Sequence, residues 1–187
     1  MPPPIPRAAR APSAVLACLL AVAAAVAPRT DYAVADDYAV RFDTRAAAGT
    51  FRGLAGTVRF DPADLDGSLL DVTVDVATVS TGNSRKDGHA RGAAWFDAAT
   101  YPTIGFRSTA FAKTDAGYAA TGQLTMRGVT REVTLPFAFE PAAAGAGGTF
   151  RGSLVVDRRD YGIEGSFGQF AVGDEVEVEL VVPVVRR

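Results

Sequence analysis

The chain has 187 residues, 48% hydrophobic and 21% charged, which provides one apolar core of ordinary domain size and leaves no room for two. Nineteen basic residues stand against 21 acidic ones, so a net charge of −2 gives no broad electrostatic attraction for nucleic acid or an anionic membrane. A single cysteine, Cys18, and a single histidine, His89, leave no disulfide framework and no cysteine or histidine zinc site.

Arg7 and Arg10 precede a run from Ala11 to Ala27 composed almost wholly of Ala, Val and Leu, the pattern of a secretory signal. Pro12 and Ser13 interrupt the run and Pro28 ends it, short of the roughly 20 apolar residues that a membrane anchor needs. Residues 1–27 are therefore expected to be a signal peptide and the product periplasmic or secreted. Small-residue pairs at Ala23/Ala25, Ala25/Ala27 and Ala33/Ala35 put cleavage after about residue 25 to 35. Lipid attachment through Cys18 is a minor alternative, because Leu16 fits that signal poorly.

From Tyr38 onward the residues alternate. Tyr38, Val40 and Phe42 oppose Arg41 and Asp43; Val58 and Phe60 oppose Thr57 and Arg59; Leu70, Val72, Val74 and Val76 oppose Asp71, Thr73 and Asp75. Ile104 and Phe106 oppose Arg107, Leu124 and Met126 oppose Gln123 and Thr125, and Val133, Leu135, Phe137 and Phe139 oppose Thr134. Leu154 and Val156 oppose Ser153 and Asp157, and Val176, Val178 and Leu180 oppose Glu175, Glu177 and Glu179. A pleated strand sends such sets to opposite faces, so the pattern predicts eight strands, each with one apolar side. Reversals are expected at Asp61-Pro62 to Asp66-Gly67, Asp115-Ala116-Gly117, Arg127-Gly128, Gly145 to Gly148 and Val172-Gly173-Asp174. Between Thr81 and Ala99 the alternation stops, and Ser84 followed by Asp87 has the form of a capping box opening one short helix between strands 3 and 4.

Eight sequential antiparallel strands allow a two-sheet sandwich or an up-and-down barrel. Closure removes exposed edges and favours the all-β, eight-stranded barrel, a size that holds one small ligand.

A more specific pattern runs through the middle of the chain: Thr81-Gly82-Asn83, Arg85, Asp87, His89 and Arg91, then Trp95-Phe96-Asp97, Tyr101-Pro102-Thr103-Ile104 and Phe106-Arg107-Ser108-Thr109. Gly122-Gln123-Leu124-Thr125-Met126-Arg127-Gly128-Val129-Thr130, Val133-Thr134-Leu135, and Asp157-Arg158 with Asp160-Tyr161-Gly162 extend it. These motifs resemble the YceI-like family over Tyr32 to the C-terminus, so residues 32–187 form the expected domain. The resemblance implies a lipocalin-like barrel, usually exported to the bacterial periplasm, whose members bind polyisoprenoids, isoprenoid quinones or related long-chain lipids in an elongated apolar cavity. Two departures stand out. Ala35-Asp36-Asp37 replaces a longer Asp-Pro, His and Ser segment, and Ala90 follows His89 where the family usually has Leu, removing an apolar contact near the expected pocket mouth.

The inward set, Val40, Phe42, Phe60, Val72, Val74, Phe106, Leu124, Met126, Phe137, Leu154, Val156 and Val178, carries no charge, so it rewards a hydrocarbon chain and cannot orient a polar substrate. Periodicity equally allows these side chains to fill a ligand-free core in a structural or partner-binding barrel; the family resemblance favours a cavity. Strands of about ten residues tilted near 40° give about 25 Å of axial length, enough for several isoprene units. On the helix, Arg85, Lys86, His89 and Arg91 are candidates for a phosphate, pyrophosphate or quinone headgroup, with Asp87 and Arg91 spaced to pair. The competing reading has His89 and Asp87 fixing the helix to the barrel. Phe167 and Phe170 are candidates for covering a protruding chain. No constellation for acid–base or nucleophilic work is present, and Asp64, Asp66, Asp71 and Asp75 lack calcium-loop spacing. The expectation is a non-enzymatic lipid binder with no cofactor beyond the lipid, no nucleic-acid partner and no stable membrane insertion once the signal is removed; a homodimer is compatible with it.

Overall fold

The computed structural model describes residues 30–165 and 173–187. Nine strands occupy eight positions of one closed antiparallel ring: β1 (Asp31–Val34), β2 (Ala39–Thr44), β3 (Ala47–Arg59), β4 (Leu69–Ser80), β5 (Thr103–Thr114), β6 (Gly117–Met126), β7 (Val129–Pro141), β8 (Gly147–Asp157) and β9 (Glu175–Arg186). β3 through β9 pair in chain order. β1 and β2 share the eighth position: Tyr32 faces Val58 and Arg186, while Val40 faces Phe51 and Leu180. They are two pieces of one strand interrupted between Val34 and Ala39; Ala35 N–H still donates to Pro183 O at 2.9 Å.

The expected eight-stranded barrel and its single helix are thus present, and β1 is an addition to the predicted strands. Among the described residues the expected reversals at 61–67, 115–117, 127–128 and 145–148 fall at the joins between strands, while Val172 of the expected 172–174 reversal lies outside the described residues. At Arg127-Gly128 both residues have positive φ, 50° and 73°, the two-residue hairpin turn whose twist suits the flanking strands.

The helix, α1 (Ser84–Arg91), joins β4 to β5 across one end of the barrel. Its cap differs from the sequence expectation. Asn83, not Ser84, is the extended residue whose side chain accepts from Arg85 N and Lys86 N. Asp87 does not reach back into a capping box; its carboxylate accepts from the Thr81 N–H and hydroxyl, both at 2.7 Å. The helix buries only Ala90, so polar ties hold much of it. β4 bulges beneath it: pairing jumps from Arg52/Asp75 to Thr50/Ser80, and the Thr78 hydroxyl takes over the ladder by accepting from Arg52 N at 2.8 Å.

The two ends of the barrel are built differently. At the end away from α1, Phe60 is fully buried, with ring centroids of Phe111, Tyr118, Phe137, Phe139 and Phe150 all 5.0–6.1 Å away. Tyr32 of β1 adds a ring against Phe139 and Phe150. We call this the floor end. The helix end holds two smaller clusters, one around Val40, Phe51, Val74, Val79 and Ala90 and one around Trp95, Met126, Val156, Tyr161 and Ile163.

Candidate functional site: an apolar cavity in the helix half of the barrel

Between the aromatic floor and α1 lies a cavity of about 240 Å³, partly open to solvent. Inward positions of the strands supply its wall. Eleven of the twelve residues expected to face inward line it: Val40 and Phe42 from β2, Val72 and Val74 from β4, Phe106 from β5, Leu124 and Met126 from β6, Phe137 from β7, Leu154 and Val156 from β8, and Val178 from β9. Phe60 is the correction. It faces inward as alternation requires, but neighbouring rings pack around it, so it forms part of the plug below the cavity. The interior is therefore filled at one end and hollow at the other.

On β9 the cavity's lining runs from Val176 to Val182, six residue steps or about 20 Å along the strand, and on β3 from Ala47 to Val58, eleven steps, so the hollow reaches from the helix end down to the floor rings Phe137 and Phe150.

The helix cluster divides. Lys86 lines the cavity and its Nζ donates to Ala46 O at 3.4 Å. Arg85, His89 and Arg91 are exposed and do not line it. Asp87 and Arg91 do not form the expected ion pair among the described residues: Thr81 engages Asp87, while Arg91 Nη1 donates to Ala77 O at 3.4 Å. Helical spacing placed the two side chains within reach, and better-fixed partners outside the helix took them. The Thr81 hydroxyl, followed by the Thr81 N–H, holds the Asp87 carboxyl below its ordinary pKa. Phe167 and Phe170 lie outside the described residues.

Several lining residues were not singled out from the sequence. Ile104, Val176 and Leu180 belong to the same alternating faces and follow from period alone. Phe51 sits on a strand too rich in Gly and Ala to show the pattern. Trp95, Phe96, Ile163 and Arg158 arrive from the connections at the helix end, where no period applies.

Arg158 is the least expected of these. It is 7% exposed, and its guanidinium donates to the carbonyls of Ile163 (2.6 Å), Gly165 (3.1 Å) and Gly173 (3.1 Å) and to Asp174 Oδ1 (3.3 Å), with the Trp95 ring 5.6 Å from its centre. A planar, five-donor cation can gather several carbonyls at once. The Asp-Arg and Asp-Tyr-Gly motif thus fastens the segment after β8 over the cavity: Asp157 accepts from Arg159 N, and Gly162 adopts φ 66° to turn the chain. Tyr161 is buried beside it, and burial, reinforced by Asp160, raises its hydroxyl pKa. Arg127 ties the opposite side, donating to Gly162 O and to Ala93 O.

This architecture recurs in known proteins. The YceI-like domain matches residues 32–184. A UPF0312 protein of Ectopseudomonas mendocina is 30% identical over 144 residues, covering 74% of each chain. The crystal structure of BcnA from Burkholderia cenocepacia superposes with a TM-score of 0.71 at 30% identity, over 78% of this chain and 95% of that one. A polyisoprenoid-binding domain from Saccharophagus degradans shares the fold, with a TM-score of 0.62 at 15% identity, over 86% of this chain and all of that one. The split first strand, the capped helix over one barrel end and the Arg158 clasp are therefore features of a chain that belongs to the YceI-like family.

Proposed function

We propose that this protein is an exported, non-catalytic carrier or scavenger that holds a long apolar lipid of the polyisoprenoid or isoprenoid-quinone type in its barrel. The observation that carries this reading is the cavity itself: a hollow lined mainly by Val, Leu, Ile, Met and Phe, above a floor of rings packed around Phe60. Burying hydrocarbon there gains about 25 cal/mol per Å², and away from α1 the wall is apolar. The polyisoprenoid-binding domain of the same fold from Saccharophagus degradans lends support. Export rests on Arg7, Arg10 and the apolar run Ala11–Ala27, and would place the protein in the periplasm or outside the cell.

A short isoprenoid segment lies fully inside, and one longer than the barrel leaves an end outside. Protein purified from its own host and weighed under native conditions is expected to carry a hydrocarbon-chain molecule recoverable by solvent extraction. A ligand-free mass, together with refusal of an apolar fluorescent probe, would defeat the reading and leave a structural or partner-binding barrel.

A further inference from the structure

The cavity's chemistry changes along its axis. Floor and wall are hydrocarbon, and among the described residues, besides Thr73 on the outward register of β4, polar residues reach it only near α1: Thr44, Thr81, Lys86 and Arg158. Three of these four are already engaged. The Thr44 hydroxyl donates to Ala47 O at 2.8 Å and accepts from Ala46 N and Ala47 N. The Thr81 hydroxyl donates to Asp87 at 2.7 Å, and the donors of Arg158 are spent on three carbonyls and Asp174. Lys86 differs. An ammonium has three donors, and that of Lys86 makes one long contact, 3.4 Å to Ala46 O, at the edge of an apolar hollow.

Resting on the lipid-binding reading, though not on its quinone form, we infer that Lys86 receives the polar end of the bound lipid, and that this end is an acid carrying a single negative charge on one apolar chain. The chain lies tail-first, with its far end against Phe106, Phe137 and Phe150. The direction follows from solvation, since those rings offer a charged group no partner and burying it among them unpaired is prohibitive. The charge follows from counting. Among the described residues one ammonium lines the cavity with donors to spare, while Arg85, His89 and Arg91 stand outside it, so a diphosphate would bring more charge than these residues offset. A single acid gains a charge-assisted hydrogen bond in a poorly hydrated place, where such bonds are strongest.

The test compares hexadecanoate with its methyl ester, and farnesoic acid with its methyl ester, by displacement of an apolar fluorescent probe from the full chain and from Lys86→Met and Lys86→Arg. Lys86→Met is expected to weaken both acids about tenfold or more and to leave both esters within about twofold, with Lys86→Arg keeping most of the acid affinity. The two chains report whether straight or branched hydrocarbon fits better, and the head assignment requires that whichever acids bind lose affinity in this way. Equal losses for acid and ester, or no loss for either, in variants with unchanged melting temperature would overturn the inference while leaving lipid binding standing. A folded wild-type chain that takes up neither acid nor ester would instead remove the reading on which the inference rests.

Discussion

The floor end and the helix end of the barrel follow the same alternating code and reach opposite results. At the floor, seven rings (Tyr32, Phe60, Phe111, Tyr118, Phe137, Phe139 and Phe150) converge from β1, from the residue just after β3 and from β5 through β8, with the small Ala120 fully buried among them. At the helix end most inward positions carry Val, Leu, Ile and Met, and the rings of Phe42, Phe51 and Phe96 gather on one side rather than converging from all round. An eight-stranded barrel has an interior just wide enough for side chains to fill, so side-chain size decides between core and cavity. Period tells which way a residue points; volume tells whether anything is left over.

The largest effect is expected from removing β1. Asp31–Val34 pairs with both β3 and β9, Asp31 Oδ1 accepts from Arg59 Nε at 2.7 Å, and Tyr32 is 8% exposed against the floor rings. A chain beginning at Asp36 opens the ring at the floor and unpacks Tyr32, at a cost of at least about 5 kcal/mol, comparable with the whole stability of many domains. Of the three candidate cleavage positions, those after Ala25 and Ala27 keep β1, and the one after Ala35 removes it. Intact-mass measurement of the protein recovered from its host is therefore expected to place its N-terminus before Asp31. A mature chain starting at Asp36 that still unfolds cooperatively would show that the floor does not need its eighth position completed.

Phe60→Ala comes next. The ring is fully buried among five others, and its removal is expected to cost about 3–5 kcal/mol in urea unfolding, since partial collapse of such a cluster leaves a void. A loss below about 1 kcal/mol would mean that the floor is plastic rather than packed.

A matched pair of enlargements sharpens the contrast between the ends. Ala120→Leu inserts three carbons at a floor position with no exposure and is expected to destabilise by about 1–3 kcal/mol. Leu154→Phe also adds three carbons, but into the hollow half, and is expected to change stability by less than about 1 kcal/mol while reducing uptake of an apolar probe severalfold. If both variants lose stability equally and probe uptake is unchanged, the two ends do not differ in packing.

How much of this could be read in the sequence follows from the same distinction. The barrel, its helix and eleven inward lining residues are legible because hydrophobic period is a local property of each strand. The placement of Phe60 is not, since whether it lines or plugs depends on rings brought in from five other strands. β1 escaped notice because Asp31-Tyr32-Ala33-Val34 is too short for alternation and overlaps a small-residue pair that also fits a cleavage site. Arg158 was visible as part of a family motif, but its role as a clasp depends on carbonyls of irregular backbone that no pattern records. The helix cluster was over-read. Spacing along a helix says which side chains are neighbours, and only the barrel wall decides that Lys86 alone of the four candidates lines the cavity.

The smallest effect belongs to the tie that holds α1 over the cavity. Thr81 lowers the pKa of the Asp87 carboxyl relative to its ordinary value, so its contribution is fully present above the unfolded-state pKa and is lost as pH falls through the lower folded-state value. Acidification to below the usual carboxylate range is therefore expected to loosen α1 before the floor responds, because the rings there carry no group that titrates on the acid side. Protection of the α1 amides, taken against the intrinsic exchange rate at each pH, should fall at low pH while that of β6 and β7 at the floor persists, and Asp87→Asn should lower α1 protection at neutral pH with little change in global stability. Because Lys86 and Ala90 reach the cavity from this helix, the loosening should also speed release of a bound probe. Release that stays constant while α1 exchanges faster would mean that the lipid leaves by a route the helix does not cover.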